Sequence, residues 1–160
     1  MSDTWQTLEF HALGVEQLYE VLRLRARIFV VEQECAYLDI DDLDQQAFHM
    51  LCHRGDSLVA YQRCLPPGVS FAESSIGRIV VDPALRGQAM GRDLVQRGID
   101  FNRQRWPGSD IVINAQAHLE PFYASLGFVG EGETHWEDGI LHRHMRCSAS
   151  GTSPKSQAGT

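Results

Sequence analysis

The chain has 160 residues, 43% hydrophobic and 22% charged, with a formal net charge of -7. That length and balance predict one domain with a full core, residues 1–147, and the acidic surplus argues against a nucleic-acid partner, whose phosphates call for basic patches. No apolar run approaches the roughly 18 residues of a membrane helix, and no basic segment leads into an apolar one, so neither a membrane partner nor a signal peptide is expected and the cytoplasm is the expected compartment. Cys35, Cys52, Cys64 and Cys147 show no CxxC spacing and read as reduced, small apolar residues.

Along the chain, Trp5 to Ala12 alternate as a first strand, and Leu18, Leu22, Ala26 and Phe29 then mark the apolar face of a helix. "EQECAYLDIDDLD", Glu32 to Asp44, holds six acids and no base, which predicts an exposed loop with a short helix at most. Three strands follow, Phe48 to His53, Leu58 to Leu65 and Ser75 to Val81. Gly55-Asp56 signals a hairpin between the first two, and Pro66-Pro67-Gly68 lies in the next connection, so antiparallel pairing is expected. Met90, Leu94, Gly98 and Phe101 mark a second helix, ended by Trp106-Pro107-Gly108, and Ile111 to Asn114 is a short buried strand. Strand, helix and strand in that order form a βαβ unit with parallel pairing and a right-handed crossover. "HLEPFYASLGF" is a short helix closed by Gly127. Two last strands, Phe128 to Trp136 and Leu141 to Cys147, flank the Asp138-Gly139 turn, and residues 148–160 lack large apolar side chains, the composition of a disordered tail. The fold class is therefore α+β in three layers, a mixed and mostly antiparallel sheet with helices on both faces.

The chemistry centres on "IVVDPALRGQAMG", Ile79 to Gly91. Arg86 to Gly91 connects a buried strand to a helix, so its backbone amides converge where unpaired N–H groups and the helix dipole favour an anion, and phosphate fits. Gly87 and Gly91 allow close approach, and Arg86 can add charge-assisted hydrogen bonds. The stretch is neither a Walker loop nor GxGxxG, and a surface turn with glycines for tightness explains it equally well on spacing alone.

"VVDPALRGQAMGRDL" followed by "PFYASLGF" resembles the GNAT superfamily of N-acetyltransferases, whose pyrophosphate loop reads Arg/Gln-x-x-Gly-x-Gly/Ala and whose later motif ends in Tyr-x-x-x-Gly-Phe. Arg86, Met90 and Gly91 fit that loop, while Ala89 stands where the family usually has its central glycine. "LRARIFVVEQECAYLDIDDLD" with "AQAHLEPFYASLGF" resembles the ElaA-like branch of that superfamily. The resemblance implies acetyl-CoA as co-substrate and an amine acceptor. It implies that Ile79, Val80 and Val81 form a bulged, splayed strand that pairs with the pantetheine arm and holds the thioester oxygen. It further implies that Arg86, Gly87, Gln88, Ala89, Met90, Gly91 and Arg92 hold the pyrophosphate, that Gln116 touches the cofactor, and that Tyr123 is the general acid. Without the resemblance, Tyr123 reads as a core aromatic.

Only about one in a thousand lysine-like amines is unprotonated at neutral pH, so the reaction needs a base. Glu32, Asp39, Asp41, Asp42 and His118 are the candidates, and each of the acids also reads as a solvated loop charge. A cationic acceptor is the expectation if the acidic loop lines its groove. His135, Glu137, Asp138, His142 and His144 have the composition of a zinc site, but the spacing fixes no ligand set, so no metal is assigned. Two functional classes stay open, an acetyl-transferring enzyme and a non-catalytic acyl-CoA sensor; longer acyl donors, as in lactone-signal synthases, are a distant third, and a homodimer is open.

Overall fold

The structure, a computed structural model, describes residues 2–87 and 89–150. Its layering follows from alternation along two central strands, β2 (Phe48–Arg54) and β3 (Ser57–Leu65). Successive strand side chains point to opposite faces. Leu51 and Tyr61 thus pack with Val21, Leu24 and Ile28 on one side, whereas Met50, Cys52 and Ala60 pack with Met90 and Leu94 on the other. The first set belongs to α1 (Val15–Arg25) and its continuation, the second to α2 (Met90–Arg105).

Around this pair the chain builds a seven-stranded sheet with β1 (Asp3–Glu9), β4 (Ser74–Val81), β5 (Ile111–Gln116), β6 (Val129–Glu137) and β7 (Ile140–Cys147), in the order β1-β2-β3-β4-β5-β7-β6. Every neighbouring pair is antiparallel except β4 and β5, which the α2 crossover joins in parallel. The short α3 (Glu120–Ala124) follows a single 3-10 turn at Ala117–Leu119. Gly127, at φ +106°, closes α3 in the left-handed conformation expected of it. α2 lies close on the sheet because Gly98 has no Cβ: one built there would sit 2.5 Å from Gln62 Nε2, which donates instead to the Leu94 carbonyl at 2.7 Å.

Three local expectations change. The first strand stops at Glu9, and Phe10–Ala12 turn as a 3-10 segment. On α1 the buried stripe is Val21, Leu24, Arg25 and Ile28, one position round from the Leu18, Leu22, Ala26 and Phe29 face, and Ala26 is exposed. Two apolar stripes compete on this helix, and the buried one is the stripe that also brings Arg25 to its carboxylate partners. The third change is the acidic loop, which is anchored rather than solvated. Beyond β7, Ala149 N–H donates to Asp110 Oδ1 at 2.9 Å, so the start of the expected tail is held; residues 151–160 of that tail lie outside the described residues.

Candidate functional site

β4 and β5 pair only at Ser74 with Ile111 and Ser75 with Val112. Past that point the strands part, and the β5-facing edge of β4 makes no ladder bonds there. Beyond Gly77 the register with β3 also breaks. Tyr61 faces Val80 and Arg63 faces Gly77, so Arg78 and Ile79 together oppose Gln62 alone, with Arg78 at φ +51°. Such a bulge bends its strand and re-aims its backbone groups. The parting opens a groove of about 860 Å³ lined by Ile79, Val80, Val81, Arg86, Gln116 and Tyr123 among others. Six residues separated by up to 44 positions in sequence, all expected at one site, thus share one wall system.

The loop entering α2 begins with Asp82, whose carboxylate accepts from Ala84 N–H at 2.9 Å and starts a turn over Pro83–Leu85. Gly87 lies at φ +84°, a conformation that strains any residue with a side chain. Ala89 caps α2 at φ +62°, ψ 8°, so alanine adopts here the left-handed geometry for which glycine is the usual choice. Gln88 lies outside the described residues. The Met90 side chain is buried with Leu94, Met50 and Ala60, leaving only its backbone for a ligand. At Gly91 an added Cβ would meet only Phe122 Cζ at 3.8 Å and Val81 Cγ2 at 3.9 Å, so the protein itself tolerates a methyl there. Arg92 points away from the groove, its Nη1 donating to Ser125 Oγ at 2.9 Å across a second, shallower depression that Ala89 also lines. Arg86 is paired, with Nη1 2.6 Å from Glu32 Oε1.

Tyr123 is 7% exposed, its ring set edge-on to Phe122 and Phe128, and burial pushes its hydroxyl up to about 12. It therefore stays protonated through the neutral range, the state a proton donor needs. Gln116 Nε2 donates to Gln33 Oε1 at 3.3 Å, tying β5 to the segment after α1. At the far end of the groove, Asn114 Nδ2 donates to Glu137 Oε2, Cys35 Sγ lies 3.2 Å from the Asp138 carbonyl, and His142 joins the lining.

α1 ends in a widened, π-helical turn over Ala26–Glu32, shown by Gln33 N–H to Ile28 O at 3.1 Å and Cys35 N–H to Val30 O at 3.1 Å. That turn delivers the acidic loop onto three arginines in or beside the sheet, two of them buried and Arg78 half-buried. Arg25, fully buried, donates from Nε to Asp39 Oδ2 at 2.8 Å and from Nη1 to Asp44 Oδ1 at 2.7 Å. Arg63 donates to both oxygens of Asp41 and from Nη1 to Asp44 Oδ1 at 2.8 Å. Arg78, on the bulge, reaches Asp39 Oδ1 at 2.7 Å from Nε and Asp41 Oδ2 at 3.2 Å from Nη2. Three guanidinium charges thus meet three carboxylates, and Tyr37 O–H donates to Asp39 Oδ1 at 2.9 Å. Burial alone would raise the Asp41 carboxyl, but the Arg63 hydrogen bonds and the charges of Arg63 and Arg78 outweigh it and draw it down to about 2. Asp44 is lowered for the same reason, with Arg25 and Arg63 overcoming burial.

This knot was missed in sequence, although a signal existed: "YQRCL" and "GRIVV" set an arginine inside each of two apolar strands, and a base-free acidic segment lies upstream to neutralise them. Of the candidate bases, Asp39 and Asp41 are committed to arginines, Glu32 is paired with Arg86, Asp42 is exposed away from the groove lining, and His118 is exposed on it. Among the described residues, no group of three or more His, Cys, Asp or Glu side chains is arranged to hold a metal ion.

A mixed sheet that splays between its parallel strands, a bulge on the inner strand and a left-handed turn into the crossover helix together define the GNAT fold. The chain belongs to the family described as the acetyltransferase (GNAT) domain, whose model matches residues 16–149. Within it the relatives are ElaA-like. Protein ElaA of Escherichia coli is 43% identical over 143 residues, covering 88% of this chain and 94% of the relative, and the UPF0039 protein sll0451 of Synechocystis is 40% identical over 146 residues, covering 91% and 95%. The crystal structure of E. coli ElaA superposes with a TM-score of 0.87 at 40% identity, covering 92% of this chain and all of the other. An acyl-CoA N-acyltransferase from Pseudomonas aeruginosa gives a TM-score of 0.86 at 35% identity, covering 91% and 99%. Among the described residues no helix is long and apolar enough to cross a membrane.

Proposed function

We propose that this protein transfers the acetyl group of acetyl-CoA to a primary amine by direct attack of the amine on the thioester. The observation that carries the reading is the parting of β4 from β5 beyond Ser75, which frees a strand edge beside a buried tyrosine. In this reading Ile79, Val80 and Val81 offer their free backbone groups to the pantetheine arm as a neighbouring strand would. A β4 amide holds the thioester oxygen, and its contribution grows as negative charge develops there. Gly87, Ala89, Met90 and Gly91 present backbone amides to the pyrophosphate at the head of the 16-residue α2, with Arg86 and Arg92 as flanking cations. Gln116 lines the arm from β5. Tyr123 gives its phenolic proton to the departing sulfur.

The acceptor is an amine on a small molecule or a protein. A cationic acceptor is favoured by Glu137 and Asp138 along the groove rather than by Glu32, Asp39, Asp41 and Asp44, whose charge arginines already balance.

Release of free thiol from acetyl-CoA, measured across an amine panel, tests the reading. The wild type turns over with at least one amine. Tyr123→Phe keeps the fold and acetyl-CoA affinity while kcat and kcat/KM fall together by about a hundredfold to ten-thousandfold. An intact thioester with every amine, despite tight binding, would identify an acyl-CoA sensor. Unchanged turnover in Tyr123→Phe would make Tyr123 a core aromatic.

A further inference from the structure

The groove holds one side chain whose hydrogen-bonding state is set for accepting a proton. His142 lies on β7 opposite Gln116 of β5 and lines the same groove as Tyr123. Its Nδ1 is 2.8 Å from the Ile140 carbonyl oxygen. A carbonyl only accepts, so Nδ1 carries the hydrogen and Nε2 keeps its lone pair. Among the described residues Nε2 has no hydrogen-bond partner. The half-buried ring is held in place by stacking on His135, at 6.1 Å and 25° between planes, and His135 Nε2 lies 3.5 Å from Glu137 Oε2. A ring with its tautomer set from below and its orientation set from the side is arranged as a base needs to be.

Most of the competing groups are engaged. Asp41 is clamped by Arg63 and Arg78, Asp39 by Arg25 and Arg78, and Glu32 by Arg86. Glu137 accepts from Asn114, and His118 is exposed with no bond among the described residues to set its tautomer.

We infer that His142 is the general base of the reaction, its Nε2 taking the proton that the acceptor ammonium must lose before attack. This rests on the acetyl-transfer reading above and names the residue which that reading lacks. The steps balance as follows. His142 Nε2 removes one proton from the ammonium. The freed lone pair forms the nitrogen–carbon bond, the carbon–sulfur bond breaks with its electrons on sulfur, and Tyr123 supplies the proton that sulfur takes up. The excess proton on the new amide nitrogen passes through water to the tyrosinate, and His142 returns its proton to solvent. One ammonium and one thioester become one amide, one thiol and one proton.

Thiol release and acetyl-CoA calorimetry on the wild type, His142→Gln, His142→Ala, His118→Gln and Glu137→Gln test the assignment. The expected result is a loss of about a hundredfold to ten-thousandfold in kcat for both His142 variants, with acetyl-CoA affinity kept and partial recovery of His142→Ala by added imidazole. Should His142→Ala fail to fold, His142→Gln carries the comparison. Wild-type turnover in His142→Gln would overturn the assignment, as would an equal or larger loss in His118→Gln or Glu137→Gln. A loss that imidazole does not recover, appearing mainly as a raised KM for the amine, would make His142 a positioning residue and also overturn it. A wild type that binds acetyl-CoA yet releases no thiol with any amine would sink acetyl transfer itself and this assignment with it.

Discussion

Arg86 and Ala89 show how single residues in the loop before α2 depart from what their positions imply. Arg86 has the charge for a pyrophosphate, yet it already holds Glu32 at 2.6 Å, so an incoming anion competes with a carboxylate. Both side chains are exposed, and such pairs contribute about 1 kcal/mol or less. Two substitutions should therefore move acetyl-CoA affinity in opposite directions. Arg86→Ala is expected to weaken binding by about 1.5–3 kcal/mol, the scale of a charged hydrogen bond, whereas Glu32→Gln should tighten it by up to about fivefold. Calorimetry at fixed ionic strength checks both, and equal affinities in all three proteins would reduce the loop to a turn. Ala89 carries a conformational cost of roughly 1–2 kcal/mol for its left-handed backbone relative to the right-handed helix. The sequence showed that a glycine was missing there; only the structure shows that the turn keeps the glycine's geometry without it.

The segment from Arg25 to Asp44 reads as two unrelated pieces in sequence, an amphipathic helix and an acidic loop, and it works as one clamp. The loop's aspartates close over Arg25, Arg63 and Arg78, so the helix end, β3 and the β4 bulge are held by one charge-neutral knot. Removing one member leaves its partner buried and uncompensated, so Asp44→Asn or Arg25→Met should cost about 3–5 kcal/mol in urea unfolding. The knot also gives stability a pH dependence. Asp41 is drawn down to about 2 in the folded chain, so its contribution is whole above its ordinary value near 4 and is lost as pH falls towards 2; it amounts to something on the order of 2 kcal/mol. His49 acts earlier. Burial lowers it, its Nε2 donates to the Asp44 carbonyl at 2.8 Å and its Nδ1 accepts from Tyr61 O–H at 2.6 Å, so protonation in acid removes the lone pair that Tyr61 donates to and adds a buried charge. Its contribution is present above its unfolded value near 6.5 and is lost below it. Unfolding curves from pH 8 to 2 should fall in two stages, with Asp41→Asn flattening the lower and His49→Gln the upper. A single stage unaffected by either variant would contradict this account.

At the scale of the whole molecule, the groove exists because one parallel pair stops pairing after two residues on each strand while the antiparallel pairs on either side continue. A ligand that fills such a gap binds the folded chain alone, so acetyl-CoA at a hundred times its dissociation constant should stabilise the protein by about 2.7 kcal/mol. For a chain of this size that is a rise in Tm of roughly 5–10 °C, readable by scanning calorimetry. No shift would mean that the gap does not hold the cofactor. The features legible in sequence were those encoded by neighbours along the chain. Seven strands, two long helices and the βαβ crossover follow from periodicity and turn residues, each acting over a few residues, and the strand bounds agree to within a residue or two except where β1 turns at Phe10. What only the tertiary structure decided depends on partners far apart in sequence: which stripe of α1 is buried, where Arg78 forces the bulge, that the acidic loop is neutralised rather than solvated, and that His142 shares a groove with Tyr123. Burial of a charge is settled by the partner it meets, and for Arg63 and Arg78 those partners lie 19 to 39 positions away, beyond the reach of any local pattern.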